Sequence, residues 1–292
     1  MDSALLPSGE ITPLDSRQLQ PSSLIRLLKQ HDVQPKKGLG QNFLISERLL
    51  ESIVSAADLS PEDVILEVGA GLGTLTYHLA RKCQRVVALE VDQRLLPLLK
   101  EALAEFPNVE LVHGDVLSLQ PGELVSTPYK VVGNLPYNIT SAVLRHFLEA
   151  EDKPSLMVVT VQKEVAERIV ARPGQMSLLA VGVQFYSTPR MVAKAPPGAF
   201  YPSPGVHSAV IRLDVHARPR FEVDDTDRFF EVVRAGFAQR RKQLRNSLSQ
   251  GLALPAEDVV AALQRAGIDE RQRPQELSLD QWVRLRQELP VV

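Results

Sequence analysis

The chain has 292 residues, of which 44% are hydrophobic and 23% are charged, and its formal net charge is −2, a composition that supports an ordinary core and excludes a disordered or collagen-like protein. A single cysteine, Cys83, excludes an intramolecular disulfide, and no Cys/His group has zinc-site spacing, so we predict a reducing compartment and no metal. No run approaches the roughly 18 apolar residues of a membrane span and no secretory signal is present, so we expect a cytoplasmic protein with no membrane partner.

The first part of the chain is predicted to be irregular. Residues 1–21 contain Pro7, Gly9 and Pro13 and show no sustained period, which predicts a flexible arm before a short helix seeded by Ser22 or Ser23. From residue 47, helical and strand patterns alternate, which is typical of βαβ units with a parallel sheet. The predicted helices are 47–57, 74–82, 92–104, 140–149 and 163–170, and the predicted strands are 63–68, 85–90, 109–113, 129–133 and 156–161.

Two late β-rich runs, 178–186 and 207–213, lie close together without a long helix between them. We interpret both as strands and expect an antiparallel strand near the end of the sheet. After 217–220 the strand pattern stops, and the remaining patterns are helical. The predicted C-terminal helices are 225–238, 241–249, 256–266 and 279–288. We therefore predict a flexible arm over 1–21, an α/β domain over 22–217 and a small helical domain over 218–292.

A glycine-rich turn, with Gly69, Gly71 and Gly73, follows the strand predicted over 63–68. Glycine allows positive φ and close approach of a ligand, and ligands of open α/β sheets bind beyond the carboxyl ends of the strands. The G-x-G-x-G spacing differs from the G-x-G-x-x-G of dinucleotide-binding proteins. It therefore indicates a site for a nucleotide or for S-adenosylmethionine (SAM), with a purely structural turn as the alternative.

Acidic residues end the next two predicted strands. Glu90 stands where a carboxylate can accept both ribose hydroxyl protons. Asp115, followed by Val116, stands where a carboxylate can accept from an adenine amino group. Either acid alone would suit a helix cap. Three consecutive strand ends with a glycine turn, a Glu and an Asp together indicate a cofactor site.

The next predicted strand leads into 133–138, whose sequence is Gly-Asn-Leu-Pro-Tyr-Asn. An adenine N6 amine is a poor nucleophile because its lone pair is delocalised into the ring. The Asn134 side-chain oxygen and the Leu135 carbonyl can accept its two N–H groups and favour a pyramidal nitrogen. Pro136 restricts φ to near −65° and stiffens the turn, and Tyr137 can stack on the base. Combined with the cofactor pattern, this segment predicts a site of methyl transfer to adenine.

These motifs resemble those of the SAM-dependent ribosomal RNA adenine N6-dimethyltransferases. The matching segments are 40–44 (Gly-Gln-Asn-Phe-Leu), 67–73 (Glu-Val-Gly-Ala-Gly-Leu-Gly), 133–138, 200–208 and 237–248. The last segment resembles the KsgA-type small-subunit enzymes more than the Erm-type large-subunit enzymes. The resemblance implies an α/β fold, with a Rossmann-like seven-stranded SAM-dependent methyltransferase domain and a small C-terminal all-helical domain that docks on ribosomal RNA.

The resemblance also implies site residues and a reaction. The residues implied to contact SAM are Asn42, Leu44, Gly69, Gly71, Glu90, Asp115, Val116 and Asn134. Phe200 would stack on the target base opposite Tyr137. The implied reaction is dimethylation of N6 of two adjacent adenosines near the 3′ end of small-subunit (16S) ribosomal RNA during subunit maturation, with S-adenosylhomocysteine as product. The implied partner is small-subunit RNA within a preassembled particle, and we expect a monomer.

Positive charge is concentrated in one stretch of the C-terminal part. No acidic residue lies between Glu231 and Glu257. The basic residues there are Arg234, Arg240, Arg241, Lys242 and Arg245. We favour phosphate binding for this stretch, with a solvated helix face as the alternative. Lys36 and Lys37 are predicted to form a second RNA contact on a mobile loop that closes over cofactor and base.

Three other functions share part of this pattern. A DNA adenine methyltransferase would share the Asn-Leu-Pro-Tyr segment, but the Arg-Arg-Lys motif at 240–242 matches the ribosomal RNA enzymes. A protein-amide methyltransferase would not need the acid-free basic stretch. A non-catalytic RNA-binding assembly factor could keep the fold, but it would not need the cofactor residues.

Overall fold

A computed structural model describes residues 23–126, 128–218, 220–221, 223, 225–239 and 241–290. The predicted arm over 1–21 and Arg240 lie outside the described residues. The strands of the described chain are β1 (Phe43–Leu44), β2 (Val64–Val68), β3 (Arg85–Glu90), β4 (Val109–His113), β5 (Lys130–Asn134), β6 (Leu156–Gln162), β7 (Ser187–Ala195), β8 (Phe200–Tyr201) and β9 (Ser208–Val215).

The helices begin and end close to the predicted positions in most of the chain. They are α1 (Leu24–Gln30), α2 (Glu47–Ala56), α3 (Thr74–Ala80), α4 (Leu96–Ala102), α5 (Pro121–Leu124), α6 (Thr140–Glu149), α7 (Lys163–Ile169), α8 (Leu178–Tyr186), α9 (Thr226–Phe237), α10 (Leu244–Leu252), α11 (Ala256–Arg265) and α12 (Leu279–Glu288). Serine and aspartate side chains cap several of them; for example, Ser46 accepts from Leu49 N at the start of α2, and Asp225 accepts from Arg228 N at the start of α9.

The main sheet has seven strands in the order β4-β3-β2-β5-β6-β9-β7. The strands β2 to β6 pair in parallel, whereas β9 is antiparallel to both of its neighbours. The predicted seven-stranded sheet and its late antiparallel strand are therefore confirmed. From β2 the chain continues to β3 and β4 on one side of the sheet, and from β5 it continues to β6 on the other side. The crevice between two such strands is where open α/β sheets bind ligands.

The strand predicted over 178–186 is wrong, because these residues form helix α8. Ser177 caps the helix by accepting from Ala180 N at 3.1 Å. Val183 packs in the core beneath the sheet, while Val181 and Phe185 pack against the C-terminal helices. Two sides of α8 are buried, so most of its residues are apolar. They form a run that resembles the apolar run of a buried strand.

Strand β7 directly follows α8 and was not predicted. Its sequence contains Pro189, Arg190 and Lys194, which do not form the apolar pattern of a central strand. It lies at the edge of the sheet, paired on one side with β9. Proline and charged side chains are tolerated on edge strands, since one row of backbone groups there needs no partner strand.

Three hydrophobic clusters hold the molecule together. One covers the face of the sheet under α2, α3 and α4, and a second covers the opposite face under α6 and α7. The third joins α8 to α9, α10, α11 and α12 around the fully buried rings of Trp282 and Phe229.

Strand pairing ends at Val215 and α9 begins at Thr226, so the domain boundary predicted at 217 lies in the connection between them. None of the described helices is long and apolar enough to cross a membrane.

Candidate active site

The carboxyl ends of four parallel strands place the predicted site residues at one edge of the sheet. In the register of the strands, Val68 pairs with both Leu89 and Gly133, and Glu90 pairs with His113. The glycine turn after β2, Glu90 at the end of β3, Asp115 after β4 and Asn134 at the end of β5 therefore face the same crevice. The structure brings together there the residues that the sequence predicts for a cofactor site.

The backbone of the turn favours glycine at three positions. Gly69, Gly71 and Gly73 have φ values of 78°, 62° and 83°, in the left-handed region that favours glycine. A β-carbon at Gly71 would lie 3.2 Å from the ring of Phe43, tighter than an ordinary contact. The turn thus exposes its backbone to the crevice, and the segment 40–44 packs directly against it.

Glu90 is held in place by two backbone N–H groups. Its Oε2 accepts from Gly71 N at 2.7 Å and its Oε1 accepts from Asp92 N at 2.8 Å. The residue is 5% exposed, and burial raises the pKa of its carboxyl. Each carboxylate oxygen has a second lone pair. Glu90 is therefore oriented by the glycine turn and retains acceptor capacity toward the crevice.

Asp115 and Val116 differ in exposure. Asp115 is exposed, and its Oδ1 accepts from Leu117 N at 3.0 Å, which makes it the first residue of a turn. Val116 is 5% exposed and packs in the core cluster that contains Leu89. One residue thus offers a carboxylate at the rim, and the other contributes an apolar wall.

The side chain of Asn134 bridges two predicted motifs. Its Nδ2 donates to the backbone oxygen of Asn42 at 2.7 Å, and Asn42 Nδ2 in turn donates to Gly40 O at 3.0 Å. These bonds engage the amide nitrogen of Asn134. Its Oδ1 accepts no hydrogen bond from any described residue, so the amide oxygen is available as an acceptor. Leu135 follows and is 2% exposed.

Gly40 lets the two motifs meet. It has φ 63°, and a β-carbon there would lie 2.9 Å from Asn138 Oδ1 and 3.0 Å from Pro136 Cβ. Any other residue at this position would push the segment 40–44 away from the turn 133–138. The glycine is therefore required for the contact between Asn42 and Asn134.

The two predicted aromatic residues have different environments. Tyr137 is half-buried, its hydroxyl bonds Ser208 Oγ at 2.5 Å, and burial raises the pKa of its phenol. Phe200 is 2% exposed and belongs to the core cluster beneath α2. Phe200 lies in β8 and is paired with Leu44 of β1. This pairing buries the ring, so in this conformation it does not present a free face.

A buried carboxylate, Asp92, was not singled out from the sequence. Its Oδ2 accepts from Gln41 Nε2 at 2.9 Å and from Arg94 Nη2 at 2.6 Å, and Lys36 Nζ lies 3.8 Å from its Oδ1. The hydrogen bond from Arg94 holds the pKa of this carboxyl well below its usual range. Asp92 thereby ties the segment 36–41 to the end of β3. The sequence signal that could have identified Asp92 was its position at a strand end, two residues after Glu90.

A second buried acid, Glu67, lies in β2 below the glycine turn. It is 1% exposed, and its Oε2 has no hydrogen-bond partner among the described residues. Burial raises the pKa of its carboxyl to about 8, and the nearby charge of Glu90 acts in the same direction. Glu67 is therefore protonated at neutral pH.

The described residues contain no cluster of acidic, His or Cys side chains that could hold a metal ion.

The predicted RNA-contact residues fall on separate surfaces. Lys37, Arg241 and Lys242 are exposed, and Lys36 extends toward Asp92. Arg245 Nη1 pairs with Glu270 Oε1 at 2.9 Å, so an acid distant in the sequence neutralises part of the acid-free stretch. Arg234 is exposed on α9 and lines a groove shared with α6 and α8.

Comparison with known proteins relates this architecture to one family. Residues 33–290 match the model of the family described as ribosomal RNA adenine dimethylase. A protein of Dehalococcoides mccartyi named ribosomal RNA small subunit methyltransferase A is 47% identical over 259 residues, 88% of this chain and 89% of that protein. A protein of the same name from Alkaliphilus metalliredigens is 39% identical over 279 residues, 93% of this chain and 97% of that protein.

Solved structures show the same relationship. The crystal structure of the 23S rRNA methyltransferase ErmE superposes with a TM-score of 0.71 at 32% identity, covering 85% of this chain and 99% of that chain. A dimethyladenosine transferase from Plasmodium falciparum has the same fold, with a TM-score of 0.73 at 21% identity over 83% of this chain and 95% of that chain. Because the family model matches residues 33–290 and the two relatives above align over 88% and 93% of the chain, this chain belongs to the ribosomal RNA adenine dimethylase family.

Proposed function

We propose that this protein transfers methyl groups from SAM to the N6 atoms of adenines in small-subunit ribosomal RNA. Two adjacent adenosines near the 3′ end of that RNA, each methylated twice, are the proposed targets. Membership of the adenine dimethylase family supports the reaction, and the names of the most similar relatives support the small-subunit substrate. The placement of Asn134, with its amide nitrogen held by Asn42 and its oxygen free, is the observation that carries the proposal.

The crevice residues fit SAM. The positive-φ turn at Gly71 gives close access to the backbone, and Glu90 lies beside it with lone pairs available for two ribose hydroxyls. Asp115 offers an acceptor for the adenine amino group, with Val116 as the apolar wall. Asn42, Leu44, Gly69 and Asn134 complete the proposed cofactor contacts. When bound, SAM supplies an activated methyl group on a sulfonium centre.

The turn 133–138 positions the nucleophile. We assign the Asn134 side-chain oxygen and the Leu135 carbonyl as acceptors for the two N–H groups of the target adenine. Accepting both hydrogens favours a pyramidal nitrogen whose lone pair points at the methyl group. The surplus proton leaves to water after transfer, so no strong general base is needed. Catalysis is then mostly orientation and electrostatics, in a turn stiffened by Pro136.

The target base must leave its stack to reach this turn. Tyr137 is held by Ser208 beside the turn and is the proposed stacking partner. Phe200 is buried here and would have to become exposed to stack on the opposite face of the base. We place the reaction in the cytoplasm, on a preassembled small-subunit particle, with the enzyme acting as a monomer.

Methyl transfer from labelled SAM tests the substrate class. We expect incorporation into unmethylated small ribosomal subunits, with dimethyladenosine as the labelled product. Large subunits, naked DNA and a protein substrate, assayed side by side, should remain unlabelled. Transfer to DNA or to protein in preference to small subunits would contradict the proposal, and binding of subunits without transfer would indicate an assembly factor.

Asn134→Ala tests the mechanism. We expect the single-turnover rate at saturating SAM and RNA to fall by about 10²–10³, because one preorganised electrostatic contact to the amine is lost. SAM affinity, measured by calorimetry on the folded variant, should fall much less. If the saturated rate stays near the wild-type value while only the SAM dissociation constant rises, Asn134 binds cofactor alone and the amine-positioning mechanism is wrong.

A further inference from the structure

A groove of about 780 Å³ lies between α6, α8 and α9. Its lining includes Ser141, in the first turn of α6, which begins shortly after the catalytic turn 133–138. It also includes Lys153, beyond the other end of α6. Since α6 has 10 residues, the groove extends roughly 15 Å away from the active-site end of that helix. This length suits a chain segment better than a single small molecule.

The groove carries an excess of positive charge. Four cationic side chains line it, against the two carboxylates of Glu149 and Asp227. The cations are Arg145, Lys153, Arg168 and Arg234. Arg145 is neutralised by Glu149, with Nε 3.0 Å from Oε1. Arg168 and Arg234 are exposed, and neither makes a side-chain hydrogen bond or ion pair with any described residue. Two arginines are therefore available to an anionic ligand.

Aromatic surface lies between these charges. The rings of Tyr186 and Phe230 stack with centroids 5.9 Å apart and an interplanar angle of 24°, and both residues are half-buried. Lys153 Nζ lies 5.6 Å from the centroid of Tyr186. Leu178, on the same groove, is 39% exposed. Cationic side chains combined with partly exposed rings form the kind of surface on which unpaired nucleotides bind.

Arg234 belongs to this groove rather than to the surface that carries Arg241 and Lys242. In the sequence it is part of the same acid-free stretch, but it lies on α9 opposite α6 and α8, whereas Arg241 and Lys242 precede α10. The basic stretch is thus divided between two surfaces, and one of them is continuous with the helix that follows the catalytic turn.

We propose that the groove between α6, α8 and α9 binds a single-stranded segment of the substrate RNA next to the target adenine. Arg168 and Arg234 contact its phosphates, and the ring pair of Tyr186 and Phe230 receives a base or ribose. The inference rests on the proposed function, because a target base that has left its stack is flanked by nucleotides that also need a path across the protein. Arginine suits such phosphate contacts through its several N–H donors.

Neutralisation of both arginines, Arg168→Gln with Arg234→Gln, tests this site. Binding to protein-free, unmethylated small-subunit RNA is measured across a salt series. We expect weaker binding and a slope of log K against log[salt] reduced by about 1.4, since each single-strand phosphate contact contributes roughly 0.7. SAM affinity should be unchanged. Lys82→Gln with Lys100→Gln removes two exposed charges from the layer on the other side of the sheet and should leave both quantities unchanged.

A wild-type affinity and salt slope in the arginine variant would overturn the proposal. The same holds if protein-free RNA binds normally but assembled small subunits bind more weakly, because the groove would then contact a ribosomal protein. Methyl transfer by the wild-type enzyme, assayed in parallel, reports on the proposed function independently of the groove variants. A wild-type salt slope in the arginine variant therefore refutes the groove, whereas absence of methyl transfer by the wild-type enzyme refutes the proposed function.

Discussion

Three carboxyl groups near the active-site edge differ in their ionisation because their partners differ. Asp92 receives hydrogen bonds from the Arg94 guanidinium and has a pKa far below its usual range, so it is charged. Glu90 has backbone N–H partners, and burial outweighs them to raise its pKa. Glu67 lacks a partner at one oxygen, and burial raises its pKa to about 8. Burial together with the hydrogen-bond partners of each carboxylate, and not its place in a motif, decides its charge.

Glu67 is expected to make stability pH-dependent. Its carboxyl keeps its proton to about pH 8 in the folded state, whereas the unfolded chain loses it near pH 4.5. Between these values the folded state binds more protons, so the free energy of unfolding falls as pH rises, by about 1.4 kcal/mol per pH unit. Glu67→Gln removes this dependence. We therefore expect the variant to gain roughly 2.5 kcal/mol over wild type between pH 5.5 and pH 7.5.

Denaturant unfolding of both proteins at several pH values measures this difference. Cys83→Ala serves as a control for a nearby core change without a carboxyl group, and its stability should follow the wild-type pH profile at constant offset. Parallel profiles for wild type and Glu67→Gln would show that Glu67 is ionised in the folded protein at neutral pH.

The short segments at the sheet edge depend on one another for position. Asp92 holds Gln41, the next residue Asn42 accepts from Asn134, and Phe43 packs against Gly71. The segment 36–42 thus forms one side of the crevice proposed for the cofactor, although its own regular structure is limited to a single turn of 3-10 helix over Lys37–Leu39. Its order comes from contacts with β3 and β5 rather than from local propensity.

Asp92→Asn should therefore loosen this segment and weaken cofactor binding. The variant loses charge-assisted hydrogen bonds, each worth about 1.5–3 kcal/mol in favourable cases, and part of that loss is expected as a roughly tenfold rise in the SAM dissociation constant. Trypsin should also cleave after Lys36 and Lys37 faster than in wild type. Calorimetry and mass spectrometry of the digest measure the two effects.

Asp269→Asn is the matched control for Asp92→Asn. Asp269 binds Arg271 with the same two-residue spacing and a comparable set of hydrogen bonds, but it is exposed and remote from the segment 36–42. It should alter neither SAM affinity nor cleavage at the two lysines. An Asp92→Asn protein that binds SAM and resists trypsin like wild type would show that the segment is held by other contacts.

Most of the elements were predictable because their pattern is local. The glycine turn, Glu90 and Asn134 follow apolar strands whose carboxyl ends must share one edge, so their proximity was predictable from chain order alone. Helix α8 and strand β7 were not, since α8 is apolar on two sides only because the C-terminal helices cover it, and β7 tolerates Pro189 only because it is an edge strand. The burial of Phe200 likewise depends on its distant partner Leu44.

At the scale of the whole molecule, α8 links the two parts. It contributes to the core beneath the sheet through Val183 and to the core of the C-terminal helices through Val181 and Phe185. The helices α9 to α12 are thus packed against the α/β part rather than only tethered by the chain after Val215. Surface charges on the C-terminal helices are consequently held at a defined distance from the turn 133–138, as the proposed contact of ribosomal RNA with both surfaces requires.

Local charge rather than the net charge of −2 must attract the RNA, and the structure separates free charges from paired ones. Arg241 and Lys242 are exposed, whereas Arg245 is paired with Glu270. Arg241→Gln with Lys242→Gln should lower RNA affinity and reduce the salt slope by about 1.4–1.8, the range for two contacts to single-stranded or duplex RNA.

Arg245→Gln should reduce the salt slope by less than the loss of one phosphate contact does. It should lower the free energy of unfolding by at most about 1 kcal/mol, because its ion pair is partly exposed. Binding of protein-free small-subunit RNA across a salt series separates these outcomes, and SAM affinity is the control that stays constant. If the salt slope of Arg245→Gln falls by as much per lost charge as that of the double variant, the ion pair with Glu270 opens when RNA binds.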